Sequence, residues 1–497
     1  MQRFAPFKWL FVICIVVLLS SKIDAGEPKP SLSNRPNIVI VLCDDLGFGD
    51  VQCLAPETSK IPTPNADALA KQGVIFTDAH SGSSVCTPTR YGLLTGRYAW
   101  RTRLQKGVAT GFAPSLIAPN RPTIASFLKT QGYDTACIGK WHLDFQYLDP
   151  KTNQPLKRKQ FKLPPVGAII PDGPVDRGFD YFHGFHHARE MKAVIENNQV
   201  IEHDDVKNML PRLTQKAYDY LISRNNNATP FFLYLPLGSP HTPIVPTDEW
   251  KGKSGLGDYG DFVMQTDHAL GKVCEALKTI GAEENTLLIF TSDNGCSKAA
   301  GIDKLLKQGH HVSGPLRGSK ADAWEGGHRV PFIARWAKHI EPSTKNDRCI
   351  CFTDMFATIA DICQQPVPES SCEDSVSFVS ELTNTRTETK QQRAGIVHHS
   401  VSGHFAYRLG DWKLILAKGS GGWTSPKENQ LDDRVPKAQL YNLSNDLAEQ
   451  TNLYDSNRTK ADELLSQLKS DVVQGRSTKG TDSSNDIETI RLWKNRK

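Results

Sequence analysis

Cys86 stands two residues before Pro88 and four before Arg90 in the run CTPTRYGLLTG, Cys86 to Gly96. A thiol so placed has three ordinary uses: half of a disulfide, a metal ligand, or a nucleophile. Pro88 suits the first turn of a helix and Gly96 its end, so the spacing predicts a helix with Cys86 at its N-terminus, where backbone N–H groups favour an anion. Asp44-Asp45 and Asp293-Asn294 add three carboxylates and one amide carbonyl, each pair directly after an apolar run. A lone aspartate in such a place is most often a turn residue or a helix cap. Two such pairs make an all-oxygen donor set, which suits calcium or magnesium better than zinc. Lys140 and His142 follow a third apolar run and His241 a fourth. An isolated histidine is most often a hydrogen-bonded structural residue; two beside a metal site become candidates for proton transfer.

The runs that must position these residues are Asn37–Cys43, Tyr133–Gly139, Phe231–Pro236 and Thr286–Ser292. Each is rich in β-branched or aromatic residues and reads as a strand buried on both faces of a sheet. Helical stretches lie between them, Thr123 to Thr130 stopped by Gly132 and Phe262 to Ile280 stopped by Gly281. Strands alternating with helices imply a layered α/β domain whose ligands bind beyond the carboxyl ends of the strands, so all four reactive sets should meet on one rim. Composition turns polar over Glu381 to Arg393, which reads as a linker. Beyond it, Phe405 to Leu409, Trp412 to Leu416 and Gln439 to Tyr441 read as short antiparallel strands and Lys460 to Val473 as a helix. The expected organisation is a catalytic domain over 33–380, a small sheet domain over 394–475 and a polar tail over 476–497.

With 497 residues, 39% hydrophobic and 23% charged, the chain has the length and composition for a large core, so an ordinary globular protein is expected and disorder is not the default. Residues 1–25 read as a secretory signal: Arg3 and Lys8 start it, Leu10 to Leu19 form its apolar run, and Ile23-Asp24-Ala25 its cleavage site. That run is shorter than the roughly 20 residues that span a bilayer, so cleavage and export, to a secreted or periplasmic location, are expected rather than stable membrane insertion. The formal charge of +5 falls partly within the signal and argues only weakly for an anionic partner. Lys157-Arg158-Lys159 reads as a solvated loop face, and no nucleic-acid-binding module is present in the pattern. An oxidising compartment favours disulfides, with Cys349, Cys351, Cys363 and Cys372 the best candidates; they lack the spacing of a zinc ribbon. The pairs His186-His187, His310-His311 and His398-His399 read as loop residues that could shape a pocket or merely sit on the surface.

Cys86-Thr-Pro88-Thr-Arg90 with Leu94-Thr95-Gly96 resembles the signature of the type I sulfatases, the arylsulfatase-like branch of the alkaline phosphatase superfamily. Asp44-Asp45, Gly139-Lys140-Trp141-His142, Pro240-His241-Thr242-Pro243, Ser292-Asp293-Asn294-Gly295, Leu316 to Lys320 and Glu325 to Pro331 follow in that family's order. Trp412-Lys413 and Leu440 to Leu443 resemble its small carboxyl-terminal domain, so the likeness runs from about Pro36 to Leu453. Thr89 stands where the family more often has serine and keeps the hydroxyl.

The resemblance implies a large mixed sheet sandwiched by helices, alkaline phosphatase-like, with a smaller C-terminal antiparallel-sheet α+β domain. It implies that a formylglycine-generating enzyme oxidises Cys86 to formylglycine, and that one calcium ion is held by Asp44, Asp45, Asp293, Asn294 and the converted Cys86. A serine that attacked a sulfate ester would keep a stable alkyl sulfate; a hydrated aldehyde has a second hydroxyl whose deprotonation expels sulfate. The roles implied are Arg90 and Lys140 holding the gem-diol, Lys320 clamping sulfate, Asp293 accepting the attacking proton, His241 protonating the leaving alcohol and His142 acting as the base that ejects sulfate. The expected substrate is a sulfated carbohydrate or another sulfate ester, with the sugar and position left open. One rival is a formylglycine-dependent phosphodiester or phosphonate hydrolase; two-zinc relatives place histidine where Asn294 stands and use Ser or Thr as nucleophile. The other rival, a non-catalytic glycan-binding relative, would be favoured by loss of Cys86, His241 or Lys320, and all three are present.

Overall fold

The computed structural model describes residues 35–368, 371–385 and 395–494, together with the first two residues. The secretory-signal reading, and most of the linker reading, therefore concern residues outside those described. Among the described residues no helix is long and apolar enough to cross a membrane.

Ten strands form one mixed sheet in the order Thr344–Asn346, Val74–Phe76, Phe332–Arg335, Thr286–Ser292, Asn37–Asp44, Phe231–Pro240, Asp134–Lys140, Tyr181–Phe185, Ala193–Glu196, Gln199–His203. The five from Thr286–Ser292 to Tyr181–Phe185 run parallel, and antiparallel neighbours close the parallel block on both sides. Parallel strands need helices over their faces, which is why the central runs are apolar throughout and every residue of Phe231–Pro240 and Thr286–Ser292 is buried. Helices Val206–Ile222 and Asp258–Thr279 cover one face, packing Leu213, Leu221, Leu270 and Leu277 with Val39, Val41, Leu233 and Leu235 in one core. Helices Cys86–Thr95, Ile124–Thr130 and Met355–Ile362 pack on one another. Thr123 caps Ile124–Thr130, its hydroxyl accepting from the Ser126 N–H.

Register then sets the rim. Cys43 lies opposite Ser292 on one side, and Asp44 opposite Pro240 on the other. Between the pairs Leu42–Pro236 and Asp44–Pro240 the longer strand carries extra residues, a bulge that bends it and re-aims Pro240-His241.

The second sheet is antiparallel, in the order Ile396–His399, Phe405–Leu409, Trp412–Ile415, Gln439–Asn442. Helix Arg458–Val473 buries Leu464 and Leu468 against Tyr407, Leu414 and Leu440. Its first strand was not expected, and it corrects the reading of His398-His399 as loop residues: both are buried strand residues. The tail is held down as well, since Asp486 pairs with Arg97 at 2.9 Å and the Ser477 hydroxyl donates to Asp374 at 2.8 Å.

The two sheets meet over a buried ionic cluster. Lys413 Nζ donates to Glu325 Oε1 and Glu449 Oε1, both at 2.9 Å, and lies 3.0 Å from His328 Nε2. The His328 and His80 Nδ1 atoms are 3.0 Å apart, and His80 Nε2 is 2.6 Å from Asp78 Oδ1. Lys413, which can only donate, is nearer to His328 Nε2 than the Ala323 carbonyl at 3.3 Å, and Asp78 is nearer to His80 Nε2 than Arg408 Nη1 at 3.3 Å. The closer contacts make His328 Nε2 an acceptor, His328 Nδ1–H a donor to His80 Nδ1, and His80 Nε2–H a donor to Asp78. Both rings are neutral in this arrangement, in keeping with burial, which pushes both below the usual histidine range.

The disulfide expectation fails. Cys349, Cys363 and Cys372 are free thiols. Cys363 faces the Tyr133 hydroxyl, Cys372 the Ser371 hydroxyl, and Cys349 clusters with Asp78 and His80. Nearness along the chain did not bring their Cβ atoms together, which a disulfide requires.

Candidate active site

Cys86 opens helix Cys86–Thr95, which is buried throughout; Gly96 closes it with φ 66°, a left-handed turn that suits glycine. The Thr89 hydroxyl contacts the Ser83 and Val85 carbonyls at 3.1 and 3.2 Å and fixes the turn into the helix, a role serine would fill equally. Cys86 and Arg90 are one turn apart and share a face. Arg90 donates to Asp293 Oδ2 through Nε at 3.0 Å and Nη2 at 2.7 Å, and to the Lys140 carbonyl at 2.8 Å.

The strand ends converge on the thiol. Asp44 Oδ1 lies 3.4 Å and Lys320 Nζ 3.5 Å from Cys86 Sγ. Lys140 pairs with Asp44 Oδ2, and Lys320 with Asp45 Oδ1. Asn294 Nδ2 donates to Asp45 Oδ1 at 2.8 Å, and the Asp45 N–H to Asp293 Oδ1 at 3.3 Å. Asp44, Asp45, Asp293, Asn294, Arg90, Lys140 and His142 are at most 1% exposed. His241 Nε2 reaches to 3.7 Å from Asp45 Oδ2, with 17% of its side chain exposed. Each side chain named as a candidate therefore reaches this one cluster or, for His142, its border.

Three carboxylates face three permanent cations here, and the electrostatics follow. Burial opposes the charge on Asp44, but Lys140, His241, Arg90 and Lys320 together hold it well below the usual carboxylate range. Burial and then Asp44 push Asp293 up to about 6, against Arg90 and Lys140. Burial, with Asp293 and Asp44, pushes the Cys86 thiol up, so the sulfur is a protonated and weak nucleophile as it stands.

The donor set fits a hard cation. Asp45 Oδ2 and Asn294 Oδ1 are buried oxygens without a hydrogen-bond partner. Native interiors rarely leave such atoms unsatisfied unless an ion or water serves them. Ligand atoms of Asp44, Asp45, Cys86 and His241 all lie within 4.8 Å of one another. His241 thus belongs to this cluster, whereas Asp293 turns Oδ2 towards Arg90.

Three features escaped sequence reasoning. Asp45, His142 and Ala321 have φ of 66°, 58° and 81°, strained for residues with a Cβ, and each lies at or beside a site group. His142 Nε2 is 3.0 Å from the Ala109 carbonyl, which can only accept, so Nε2 bears the proton and buried Nδ1, which has no partner, keeps its lone pair. Burial, Lys140, His187 and His186 keep this ring neutral. His187 packs edge-on against His142 with centroids 4.5 Å apart. His310 instead accepts from the Lys60 N–H and pairs with Asp50 at 2.8 Å, a structural role. The C-terminal sheet also braces the site: the His399 carbonyl accepts from the Ser83 hydroxyl and the Ser84 N–H, just before Cys86.

A family model described as Sulfatase matches residues 36–364, most of the chain and all ten candidate residues. The chain belongs to the sulfatase family. N-acetylgalactosamine-6-O-sulfatase of Bacteroides thetaiotaomicron is 31% identical, with 88% of this chain and 93% of that one covered. Human arylsulfatase A is 30% identical, covering 88% and 87%. A structure solved in work on glycosaminoglycan metabolism by Bacteroides thetaiotaomicron matches with TM-score 0.76 and 29% identity, over 88% of this sulfatase and 99% of that chain. The phosphonate monoester hydrolase of Agrobacterium radiobacter, at TM-score 0.55 and 18% identity, shares the fold alone. This sulfatase is a sulfuric ester hydrolase of the alkaline phosphatase fold.

Proposed function

We propose that this sulfatase is exported and removes sulfate from a sulfated amino sugar or related saccharide, with Cys86 converted to formylglycine and calcium bound among Asp44, Asp45, Asp293 and Asn294. The observation that carries the reading is the convergence on Cys86 Sγ of Asp44 Oδ1 and Lys320 Nζ, at 3.4 and 3.5 Å, within a buried set of carboxylate and amide oxygens with His241 at its edge. The sugar class is supported by a relative named N-acetylgalactosamine-6-O-sulfatase. A bound hard cation supplies charge neutralisation and lowers the pKa of a hydroxyl beside it.

The residues of the chain divide the remaining work. The three carboxylates and three cationic side chains of the cluster balance, so the charge of a bound cation would be left over to attract a sulfate ester. Arg90, tied to Asp293 and to the Lys140 backbone, is fixed and holds the gem-diol with Lys140. Lys320 approaches from the opposite loop and clamps the sulfate oxygens. Asp293 takes the proton of the attacking hydroxyl. His241, the more exposed histidine, faces the leaving alcohol and protonates it. His142, with Nδ1 unprotonated, takes the proton from the second hydroxyl and sulfate leaves.

Two measurements test this. Mass spectrometry of the tryptic peptide Gln72 to Arg90 should show CH2–SH replaced by CHO in active protein. Sulfate release across saccharides of defined linkage, including 6-O-sulfated N-acetylgalactosamine, should identify the sugar. An unmodified thiol in enzyme that cleaves at full rate would overturn the mechanism, and release from no saccharide would overturn the substrate class.

A further inference from the structure

We propose that Trp423 and Lys298 form a second subsite on the rim, which binds the sugar next to the sulfated one when that neighbour carries an anionic group. The inference rests on the saccharide reading above and extends it to at least a disaccharide.

The two residues come from different parts of the chain and are stitched to the segment that carries Lys320. Lys298 lies four residues beyond Asn294, and between them the Cys296 carbonyl accepts from the Lys320 N–H at 2.9 Å. Trp423 comes from the C-terminal sheet domain, on a loop that reaches across to the same segment. The Trp423 and Thr424 N–H groups donate to Asp322 Oδ1 at 2.8 and 3.0 Å, and Asp322 Oδ2 accepts from the Ser319 N–H at 2.9 Å. Asp322 is fully buried, so this carboxylate locks the two loops together. Glu428 holds the far side of the loop, accepting from the Lys418, Gly419 and Gly421 N–H groups. At Gly422 a Cβ would stand 2.2 Å from the Ala321 carbonyl, so only glycine lets the loop lie this close.

The locked loop presents a half-buried indole with Lys298 Nζ 5.4 Å from its ring centroid. Among the described residues Lys298 is exposed and takes part in no ion pair. With no carboxylate partner among them, its ammonium lies over the indole, a loose cation–π contact that a sugar carrying a carboxylate or sulfate can replace: the anion draws the ammonium aside and the ring C–H face packs on the indole. Two peptide steps of about 3.8 Å separate Lys320 from Asp322. Four such steps separate Asn294 from Lys298, so their Cα atoms lie within about 15 Å of each other, a reach of two or three sugar rings from the reacting centre.

The experiment compares wild type, Trp423→Ala and Lys298→Ala, as full-length activated enzyme, on four substrates: an aryl sulfate, a sulfated monosaccharide, and the same sugar linked to a neutral or to a uronate neighbour. Trp423→Ala should raise KM about tenfold on both disaccharides, as loss of one stacking face would, with kcat and the two smaller substrates within about twofold. Lys298→Ala, at an exposed position that folds without it, should act on the uronate disaccharide alone and flatten its salt dependence. Equal losses on all four substrates would mean a merely structural loop, and unchanged disaccharide kinetics in both variants would mean no subsite; either overturns the proposal. Failure of the saccharide reading looks different, because wild type itself would then hydrolyse only the aryl ester.

Discussion

Replacing Lys413 by methionine removes one charge from the centre of the cluster that joins the two sheets. Lys413, Glu325 and Glu449 are all 0% exposed, and the ammonium donates to both carboxylates at 2.9 Å. Methionine keeps most of the volume, so the loss is electrostatic. Removing one partner of a buried ion pair costs about 3–5 kcal/mol. At about 2.1 cal/mol/K per residue over the roughly 450 described residues, the Tm should fall by about 3–5 °C if the molecule melts as one unit. The pH dependence gives a sharper signature. Burial pushes Glu449 up to about 7, with Glu325 adding and Lys413 opposing. An acid raised on folding contributes stability below its unfolded pKa and loses it as pH rises through its folded pKa. Burial opposes the charge on Glu325, but Lys413, His80, His328 and Arg408 together hold it well below the usual carboxylate range. Without Lys413, Glu325 rises and Glu449 rises further, so the gap between wild type and variant should widen from pH 5 to pH 8. Urea and thermal unfolding at pH 5, 6, 7 and 8 measure it, and adding Glu449→Gln to the variant should restore part of the loss at pH 8. A gap under about 1 kcal/mol at pH 8, or one that does not change with pH, would refute the view of Lys413 as the counterion of a desolvated acid pair.

His241→Ala should slow cleavage of sugar sulfates by about a hundredfold or more while costing far less on esters of acidic phenols, because a poor leaving group needs the proton; equal losses would remove the general-acid role. Cys86→Ser should fold normally, as shown by an unchanged melting curve, and accumulate at most one covalent sulfate per molecule by intact-mass analysis; multiple turnovers would contradict the need for a second hydroxyl. Chelation with EGTA should abolish sulfate release, with calcium restoring it, and metal analysis of active protein should find one calcium; two zinc ions would sink the hard-cation assignment.

Much of the rim was legible because it is written locally. Asp44, Lys140, His241 and Asp293 each follow or end an apolar run, and a strand in a parallel sheet delivers what comes next to the same edge. The helix from Cys86 to Thr95 was equally readable from Pro88 and Gly96, as were the strands Phe405–Leu409 and Trp412–Ile415 from their residue types. Local pattern could not say which side chains would meet across the rim. Arg90 meets Asp293 across 203 positions and Lys320 reaches Cys86 across 234, contacts that depend on how separate elements pack and not on any local pattern, as the place of His241 depends on the bulge before Pro240. The tautomer of His142 was decided by one carbonyl on a separate loop, and the fate of Cys349, Cys363 and Cys372 by where three different elements turned their thiols. The sequence by itself determined which groups could do chemistry and at which strand ends they would stand, because residue type and hydrophobic period act over a few positions. Only the tertiary structure decided their pairing, protonation and bracing by the C-terminal sheet, because hydrogen bonds and burial depend on distances between atoms hundreds of residues apart.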